Sequence, residues 1–209
     1  MRPDWIEQQL RRRGIRDERV LGAMARVPRE AFVPAGARRH AYADAALSLS
    51  HGQTISQPYI VALICQALEL QGDEHVLDIG TGSGYQAAVL AELAADVVSV
   101  ERIPELAEQA RRNLAAAGYD VDVRVGDGTL GVPDRAPYDA IAVAATAPEV
   151  PGPLYDQLVT GGRLVLPIDE SLVSVTRTAS GRRTRFLSPA RFVPLVSGLP
   201  DEGPGMTGP

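Results

Sequence analysis

The glycine-rich segment Asp-Ile-Gly-Thr-Gly-Ser-Gly at residues 78–84 constrains the fold of this chain more than any other feature. A short run of apolar residues leads into it, and an alanine-rich stretch with helical spacing follows it. The segment therefore joins a buried strand to a helix. Glycines at such a junction let a ligand approach the backbone closely, and the start of the helix offers free amide donors. The pattern predicts a nucleotide-binding β-α-β unit.

Strands and helices alternate through the rest of this half of the chain. Apolar strands are predicted at residues 75–80, 97–101, 121–125, 140–144 and 163–168, and helices at residues 85–95 and 104–117. Continuous apolar strands separated by helices indicate a parallel sheet that is covered on both faces. The predicted fold class is therefore α/β, with a doubly wound, mostly parallel sheet and helices on both faces.

The two ends of the chain lack this alternation. The apolar spacing predicts an N-terminal helical region, with helices at residues 4–13, 17–26 and 59–70. Beyond residue 167 the helical spacing disappears, and residues 172–177 and 191–195 predict an antiparallel hairpin at one edge of the sheet. We therefore expect antiparallel strands at the C-terminal edge.

Length favours a single domain. A chain of 209 residues is long enough for one full-sized domain and short for two. We expect that domain to span residues 1–198, with residues 1–70 covering substrate and cofactor and residues 72–198 forming the nucleotide-binding sheet. Residues 199–209 have little apolar content to bury and are expected to be disordered.

Charge and composition exclude several classes of function. The 21 Lys and Arg residues against 26 Asp and Glu residues give a net charge of −5, which argues against non-specific binding of nucleic acid. Cys65 is the only cysteine, so neither an internal disulfide nor a cysteine-rich metal site can form. No apolar run approaches the roughly 20 residues of a membrane span, and the N-terminus lacks a signal pattern. We expect a cytoplasmic protein without metal, membrane or nucleic-acid partners.

An acidic residue and an absent glycine narrow the choice of nucleotide. Glu101 ends the second predicted strand, 21 positions after Gly80, about where a β-α-β site has a carboxylate for ribose hydroxyls. A dinucleotide-binding loop would have a third glycine where Tyr85 stands. A phosphate-binding P-loop is excluded, because no Gly-Lys-Ser/Thr follows.

The glycine spacing, with Asp78 just before it, resembles the first motif of class I S-adenosylmethionine (SAM) methyltransferases instead. Asp127 lies in Gly-Asp-Gly after the third predicted strand, where that superfamily contacts the adenine end of the cofactor. Taken alone, its position favours an Asx turn.

Residues 52–59, Gly-Gln-Thr-Ile-Ser-Gln-Pro-Tyr, lead into the predicted helix at 59–70. On the residues alone, Ser56 is first a candidate N-cap, with Pro58 in the first turn where its missing N–H costs nothing. A contact between Ser56 and a substrate is the second interpretation, and the residues alone leave both open.

Blocks of sequence along nearly the whole chain resemble the protein-L-isoaspartate O-methyltransferase family, in the family's order. The matching blocks are residues 27–33, 51–59, 77–85, 98–103, 137–141, 161–167 and 191–195. The Gln-Thr-Ile-Ser-Gln-Pro-Tyr block at 53–59 is specific to that family, whereas the glycine loop is shared with many methyltransferases. The resemblance implies a Rossmann-like methyltransferase fold with SAM as the methyl donor.

The resemblance also implies a reaction and a set of site residues. The family methylates the α-carboxylate of L-isoaspartyl residues in damaged proteins and peptides, which starts their repair through a succinimide. Ser56 would lie beside the methyl-transfer site, and Phe192, Val193 and Pro194 would line the peptide cleft. The implied cofactor-binding residues are Gln53, Thr54, Ile55, Asp78, Gly80, Thr81, Gly82, Ser83, Gly84, Glu101, Arg102, Asp127 and Gly128. We expect a monomer whose partners are isoaspartyl peptides and proteins.

A second function within the same family stays open at this level. A peptide-tailoring methyltransferase, which drives aspartimide formation on an Asp of a biosynthetic peptide, would share the motifs and differ only in its peptide cleft. A nucleic-acid methyltransferase is disfavoured, because residues 144–148 lack the Asn/Asp-Pro-Pro-aromatic set that holds a flipped base.

Overall fold

The computed structural model describes residues 5–200. Within this range the α-helices are α1 (Glu18–Arg26), α2 (Pro58–Leu68), α3 (Tyr85–Ala91), α4 (Pro104–Ala117) and α5 (Gly152–Asp156). The strands are β1 (Leu47–Ser48), β2 (Thr54–Ile55), β3 (His75–Ile79), β4 (Asp96–Glu101), β5 (Asp122–Val125), β6 (Tyr138–Val143), β7 (Leu158–Ile168), β8 (Ser171–Thr178) and β9 (Gly181–Pro189).

In this part of the chain, seven strands form one sheet in the order β5-β4-β3-β6-β7-β8-β9. The strands from β5 to β7 are parallel, and β8 and β9 extend the sheet as an antiparallel hairpin. The chain passes from β3 outward through β4 and β5, then returns to the other side of β3 with β6. Strand order therefore reverses between β3 and β6, and doubly wound sheets bind ligands outside the carboxyl ends of the strands at this point.

Successive side chains of the central strand enter two different cores, because residues of a strand point alternately to opposite faces. In β3, Val76 packs in a cluster with residues of α1, α2 and α3. Leu77 and Ile79 belong to a second cluster on the other face, which α5 covers through Leu154. The N-terminal helices thus share a core with the sheet. That shared core fixes α2, and the segment leading into it, relative to the sheet.

The structure confirms the predicted alternation and moves some boundaries. α4 begins at Pro104 as predicted and ends before Gly118, whose φ of 83° is left-handed. α3 ends at Ala91 rather than at residue 95, because the chain turns there and the amides of Ala95 and Asp96 donate to the carbonyl of Glu74 beside β3.

The predicted first helix is less regular than its apolar spacing indicates. A π-helical turn at Ile6–Leu10 is followed by a 3-10 turn at Arg11–Arg13. The turns end at Gly14 with a φ of 96°, as a left-handed C-terminal glycine predicts. The first residue of the predicted helix lies outside the described residues.

The edge hairpin is present, but the prediction of its second strand was wrong. β8 pairs with β9, not with residues 191–195. β9 is polar and exposed along most of its length, so it carries no apolar alternation that would mark it as a strand. Residues 191–195 instead run beside the loop after β6, where the Thr146 amide donates to the Val193 carbonyl and the Thr146 carbonyl accepts from the Leu195 amide. Their apolar side chains include Phe192 and Leu195, which pack partly buried against the two cores.

Two further findings concern residues 5–200. None of their helices is both long and apolar enough to cross a membrane. Their His, Cys, Asp and Glu side chains form no group of three or more that could hold a metal ion. Most of the predicted disordered tail, from residue 201 onward, lies outside the described residues.

Candidate active site

A cleft opens at the carboxyl ends of β3, β4 and β6, where the strand order reverses. The glycine loop after β3 and the end of β4 form one wall. The segment through β2 to Ser56 forms a second wall, and residues 193–196 of the C-terminal segment also line the cleft. Parts of the chain that are far apart in sequence therefore meet at this edge of the sheet.

The cleft brings together most of the residues predicted from sequence. Those that line it are Gln53, Thr54, Ile55, Ser56, Gly80, Thr81, Gly82, Ser83, Glu101, Arg102, Gly128, Val193 and Pro194. Four predicted residues are not part of the lining: Asp78, Gly84, Asp127 and Phe192.

Sequence reasoning missed several apolar residues of the wall. Ala144 and Ala145 follow β6 directly, so the rule that ligands bind at the carboxyl ends of strands could have found them. Tyr85 was considered only as a departure from a dinucleotide motif, although its ring is fully buried against the cleft. Val61 lies inside α2, and no motif marks it.

The glycine loop turns tightly and uses its own amides. Gly80, Gly82 and Gly84 have φ values of 91°, 53° and 90°, a region that favours glycine. A β-carbon on Gly84 would also lie 3.1 Å from Leu114 Cγ. The amides of Gly80 and Thr81 donate to the Val100 carbonyl, and that of Gly84 donates to the Thr81 carbonyl. The expectation of free amide donors therefore fails at these positions, because the loop folds back on β4.

Glu101 connects the loop to the start of α4. Its Oε2 accepts from the Gly82 amide at 2.9 Å, and its Oε1 accepts from the Ile103 amide at 3.1 Å. The side chain lines the cleft and is 6% exposed. Each carboxylate oxygen retains one further acceptor position. Glu101 can therefore accept two hydroxyl groups of a ligand while it holds the loop.

Asp78 lies beneath the loop and is completely buried. Its two oxygens accept from Ser99 Oγ at 2.7 Å and from Gln86 Nε2 at 2.8 Å. Thr81 Oγ1 lies 2.6 Å from Ser99 Oγ, which extends the chain of hydrogen bonds to the loop itself. Burial raises the pKa of Asp78 to about 6, although the two hydrogen bonds oppose this rise. The carboxyl group supports the loop from below.

Asp127 holds the C-terminal segment. Its Oδ2 accepts from the Gly198 amide at 2.7 Å and from Ser197 Oγ at 3.0 Å, while its Oδ1 accepts from the Thr129 amide at 2.8 Å. Burial raises its pKa, but these hydrogen bonds outweigh burial and hold the pKa below its usual value. Arg102 Nε donates to the Gly198 carbonyl at 3.1 Å. Asp127 and Arg102, which were both predicted to bind cofactor, thus hold the same stretch of chain at residues 197–198.

Ser56 is half-buried at the cleft and does not cap α2. The N-cap residue is Gln57, whose side chain makes no capping bond, and Pro58 begins the helix. The Ser56 carbonyl accepts from Arg29 Nη2 at 2.7 Å, and its hydroxyl makes no hydrogen bond among residues 5–200. The N-cap interpretation was therefore wrong, and the hydroxyl is available to a ligand.

The doubly wound sheet, the glycine loop and the acid at the end of β4 define the fold class as that of the Rossmann-like methyltransferases. The family model for protein-L-isoaspartate(D-aspartate) O-methyltransferases matches residues 2–200. The chain belongs to this family.

Individual relatives agree with this assignment. A protein-L-isoaspartate O-methyltransferase of Methanoculleus marisnigri is 54% identical over 200 residues, covering 93% of this chain and 91% of that protein. A second, from Pelobacter propionicus, is 56% identical over 198 residues, covering 91% of this chain and 88% of that protein. A solved protein-L-isoaspartate O-methyltransferase structure of Plasmodium falciparum, in complex with S-adenosyl-L-homocysteine, has a TM-score of 0.81 and 26% identity, covering 93% of this chain and 97% of that one.

Proposed function

We propose that the protein transfers a methyl group from SAM to the α-carboxylate of L-isoaspartyl residues in damaged proteins and peptides. One observation carries the proposal: the free Ser56 hydroxyl and the glycine loop with Glu101 line the same cleft. Family membership and relatives above 50% identity over nine tenths of the chain support the same substrate class. The peptide-tailoring alternative is not favoured, because these relatives carry the isoaspartate name.

The residues of the cleft fit SAM. Glu101 offers acceptor positions for ribose hydroxyls, and Gly80 and Gly82 let the backbone approach the ligand closely. Gly128 also lines the cleft. A side chain would not fit there, because an added β-carbon would lie 2.6 Å from Ile79 Cγ2. We propose that Gln53, Thr54, Ile55, Thr81, Ser83 and Arg102 complete the cofactor site.

The reaction needs little from the protein. When bound, SAM would supply a methyl group on a positively charged sulfonium, with neutral S-adenosyl-L-homocysteine as the leaving group. The acceptor carboxylate has a pKa near that of free Asp, about 3.9, so it is ionised at neutral pH and needs no general base. Ser56 would donate a hydrogen bond that orients one carboxylate oxygen, and the apolar walls at Ile55 and Val193 would exclude water.

The C-terminal segment supplies the peptide side of the proposed site. Val193 and Pro194 line the cleft, and Phe192 precedes them in the same extended stretch, which could lie along an extended substrate. After methylation, the nitrogen of the neighbouring backbone amide can attack the ester carbonyl. The C–OCH₃ bond breaks and methanol leaves with the amide proton, which forms a succinimide without further enzyme chemistry. We propose that the protein acts as a cytoplasmic monomer; its one cysteine, Cys65, is a free, buried thiol.

Mass spectrometry of two matched peptides tests the proposed function. One peptide contains L-isoaspartate and the other contains normal Asp, and each is incubated with the protein and SAM. Methylation of the isoaspartyl peptide alone, followed by succinimide, is the expected result. Methylation of neither peptide, with SAM still bound in calorimetry, would contradict the proposal. Size-exclusion chromatography with light scattering tests the monomer.

A further inference from the structure

Within residues 5–200, Arg29 is a buried guanidinium without a carboxylate partner. Its exposed fraction is 0%. Among residues 5–200 no Asp or Glu forms an ion pair with it, and its Nη1 has no hydrogen-bond partner. Burial lowers its pKa, but a guanidinium stays charged in a protein. Removing a charge from water without pairing it is costly, so packing alone does not explain why this residue is an arginine.

The contacts of Arg29 locate it directly behind the wall of the cleft. Its Nη2 donates to the Ser56 carbonyl at 2.7 Å, and its Nε donates to the Ala41 carbonyl at 2.7 Å. The guanidinium carbon lies 4.6 Å from the centre of the Tyr85 ring. Ser56 and Tyr85 both line the cleft. A single side chain therefore connects the segment of Ser56 to the start of α3.

The proposed reaction would bring an anion to this part of the cleft, namely the acceptor carboxylate. A carboxylate that accepts a hydrogen bond from the Ser56 hydroxyl would lie within several ångströms of the charge behind the Ser56 backbone. Opposite charges attract more strongly where water is excluded than they do in bulk solvent. A neutral amide could satisfy the two carbonyl groups, but it could not supply this attraction.

We propose that Arg29 is a positioning residue for methyl transfer. It fixes the backbone of Ser56 at the cleft, and it holds an unpaired positive charge behind the site of the acceptor carboxylate. This inference rests on the proposed function, because it requires a carboxylate acceptor beside Ser56.

A double-mutant cycle tests the coupling between Arg29 and Ser56. Wild type, Arg29→Lys, Ser56→Ala and the double variant are compared for kcat and KM with an isoaspartyl peptide. We expect Arg29→Lys alone to lower kcat/KM by about 30-fold, since a small misplacement of a reacting group has effects of this size. In the Ser56→Ala background the same change should cost less than about threefold, because residues that act together are not additive. Affinity for S-adenosyl-L-homocysteine should change little in every variant.

A pH profile separates the role of the charge from a structural role. A lysine in this buried position will have a lowered pKa and will lose its charge as the pH rises. The kcat/KM of Arg29→Lys should therefore fall through the alkaline range, whereas the wild type, whose guanidinium does not titrate there, should not show this fall. Arg29→Met should match the high-pH limit of Arg29→Lys at every pH.

Arg19 provides a matched control. It is exposed and also donates to two carbonyls, those of Leu70 and Leu93, at 2.8 and 3.1 Å, but it is not part of the cleft wall. Arg19→Lys should lower the melting temperature slightly and leave kcat/KM unchanged.

The remaining outcomes would overturn either the role of Arg29 or the proposed function. Additive effects in the cycle, or normal kcat/KM in folded Arg29→Lys, would overturn it while leaving the proposed function intact. If Arg29→Met does not fold, the kinetics of Arg29→Lys alone decide whether the proposal is correct. If neither variant folds, Arg29 is needed for the stability of the fold and the proposal is wrong. Failure of the wild type to methylate the peptide would instead reject the proposed function.

Discussion

The two walls of the cleft are built in different ways. The glycine-loop wall comes from one β-α-β unit, in which Glu101 binds the Gly82 amide and Ser99 binds Asp78. The wall at Ser56 is built instead from the short strand β2, which pairs with β1, and from the segment that follows it. It is held by a hydrogen bond from Arg29, 27 residues away along the chain, whose guanidinium also binds the Ala41 carbonyl.

This difference matches the two tasks that we propose for the cleft. A nucleotide site needs a fixed turn and a carboxylate at a set spacing, which one supersecondary unit can supply. An acceptor site that works by positioning needs a hydroxyl held at a defined point, and here a long-range contact from Arg29 helps to hold it. The two walls should therefore respond separately to substitution, and the following experiments test that separation.

Ser56→Ala should have the largest effect, and it should affect only the wall at Ser56. Removing one positioned donor from a water-excluded site lowers turnover by about 100-fold or more. SAM affinity should stay close to that of the wild type, since the glycine-loop wall is intact. Steady-state kinetics and calorimetry on the same preparation make the comparison, and equal losses in turnover and affinity would show that the walls are not separate.

Asp78→Asn tests the support beneath the glycine loop. The folded protein raises the pKa of Asp78 from 3.8 to about 6, so the native state binds this proton more tightly than the unfolded state does. The resulting stabilisation is present below about pH 4 and is lost as the pH rises through 6. Relative to the variant, the wild type should lose on the order of 3 kcal/mol of unfolding free energy between pH 4 and pH 7.

Urea unfolding of both proteins at several pH values measures this difference, because carboxyl groups elsewhere titrate equally in the two proteins. A difference that stays constant across the range would mean that Asp78 has an ordinary pKa. SAM binding provides a second readout, since a weakened support should loosen the loop without affecting Ser56.

Glu101→Ala tests the glycine-loop wall directly. It should weaken SAM binding by about 1.5–3 kcal/mol, the scale of hydrogen bonds to a charged group. The variant also leaves the amides of Gly82 and Ile103 without their partner. Glu101→Gln is the control, because it keeps the size and one acceptor oxygen and should lose less. Unchanged affinity in calorimetry would remove Glu101 from the cofactor site.

Asp127→Ala should have the smallest effect, because it changes only the fastening of the C-terminal segment. Loss of the bonds from Gly198 and Ser197 should raise hydrogen exchange at the Gly198 amide by about fivefold, the equivalent of about 1 kcal/mol. The Leu195 amide, which donates to Thr146, serves as an internal reference. Equal acceleration at both amides would mean that the whole segment is released together.

Local signals predicted the regular part of the fold well. α4 has the predicted start and end, because Pro104 favours the first turn of a helix and Gly118 favours its C-terminus. The strand β9 was missed, since it lies at an exposed edge where polar residues are compatible with pairing. Ser56 was first interpreted as a cap because the capping pattern is local, whereas its actual contact, with Arg29, is not.

The sequence by itself determined the β-α-β unit, the spacing from Gly80 to Glu101 and the family, since these depend on residues close together in the chain or on whole blocks of sequence. Only the tertiary structure decided what the carboxylates do and where Arg29 lies. Asp127 fastens a segment some 70 residues further on, and Arg29 reaches behind Ser56. Such contacts form only when the shared core brings distant segments together, and no local periodicity encodes them.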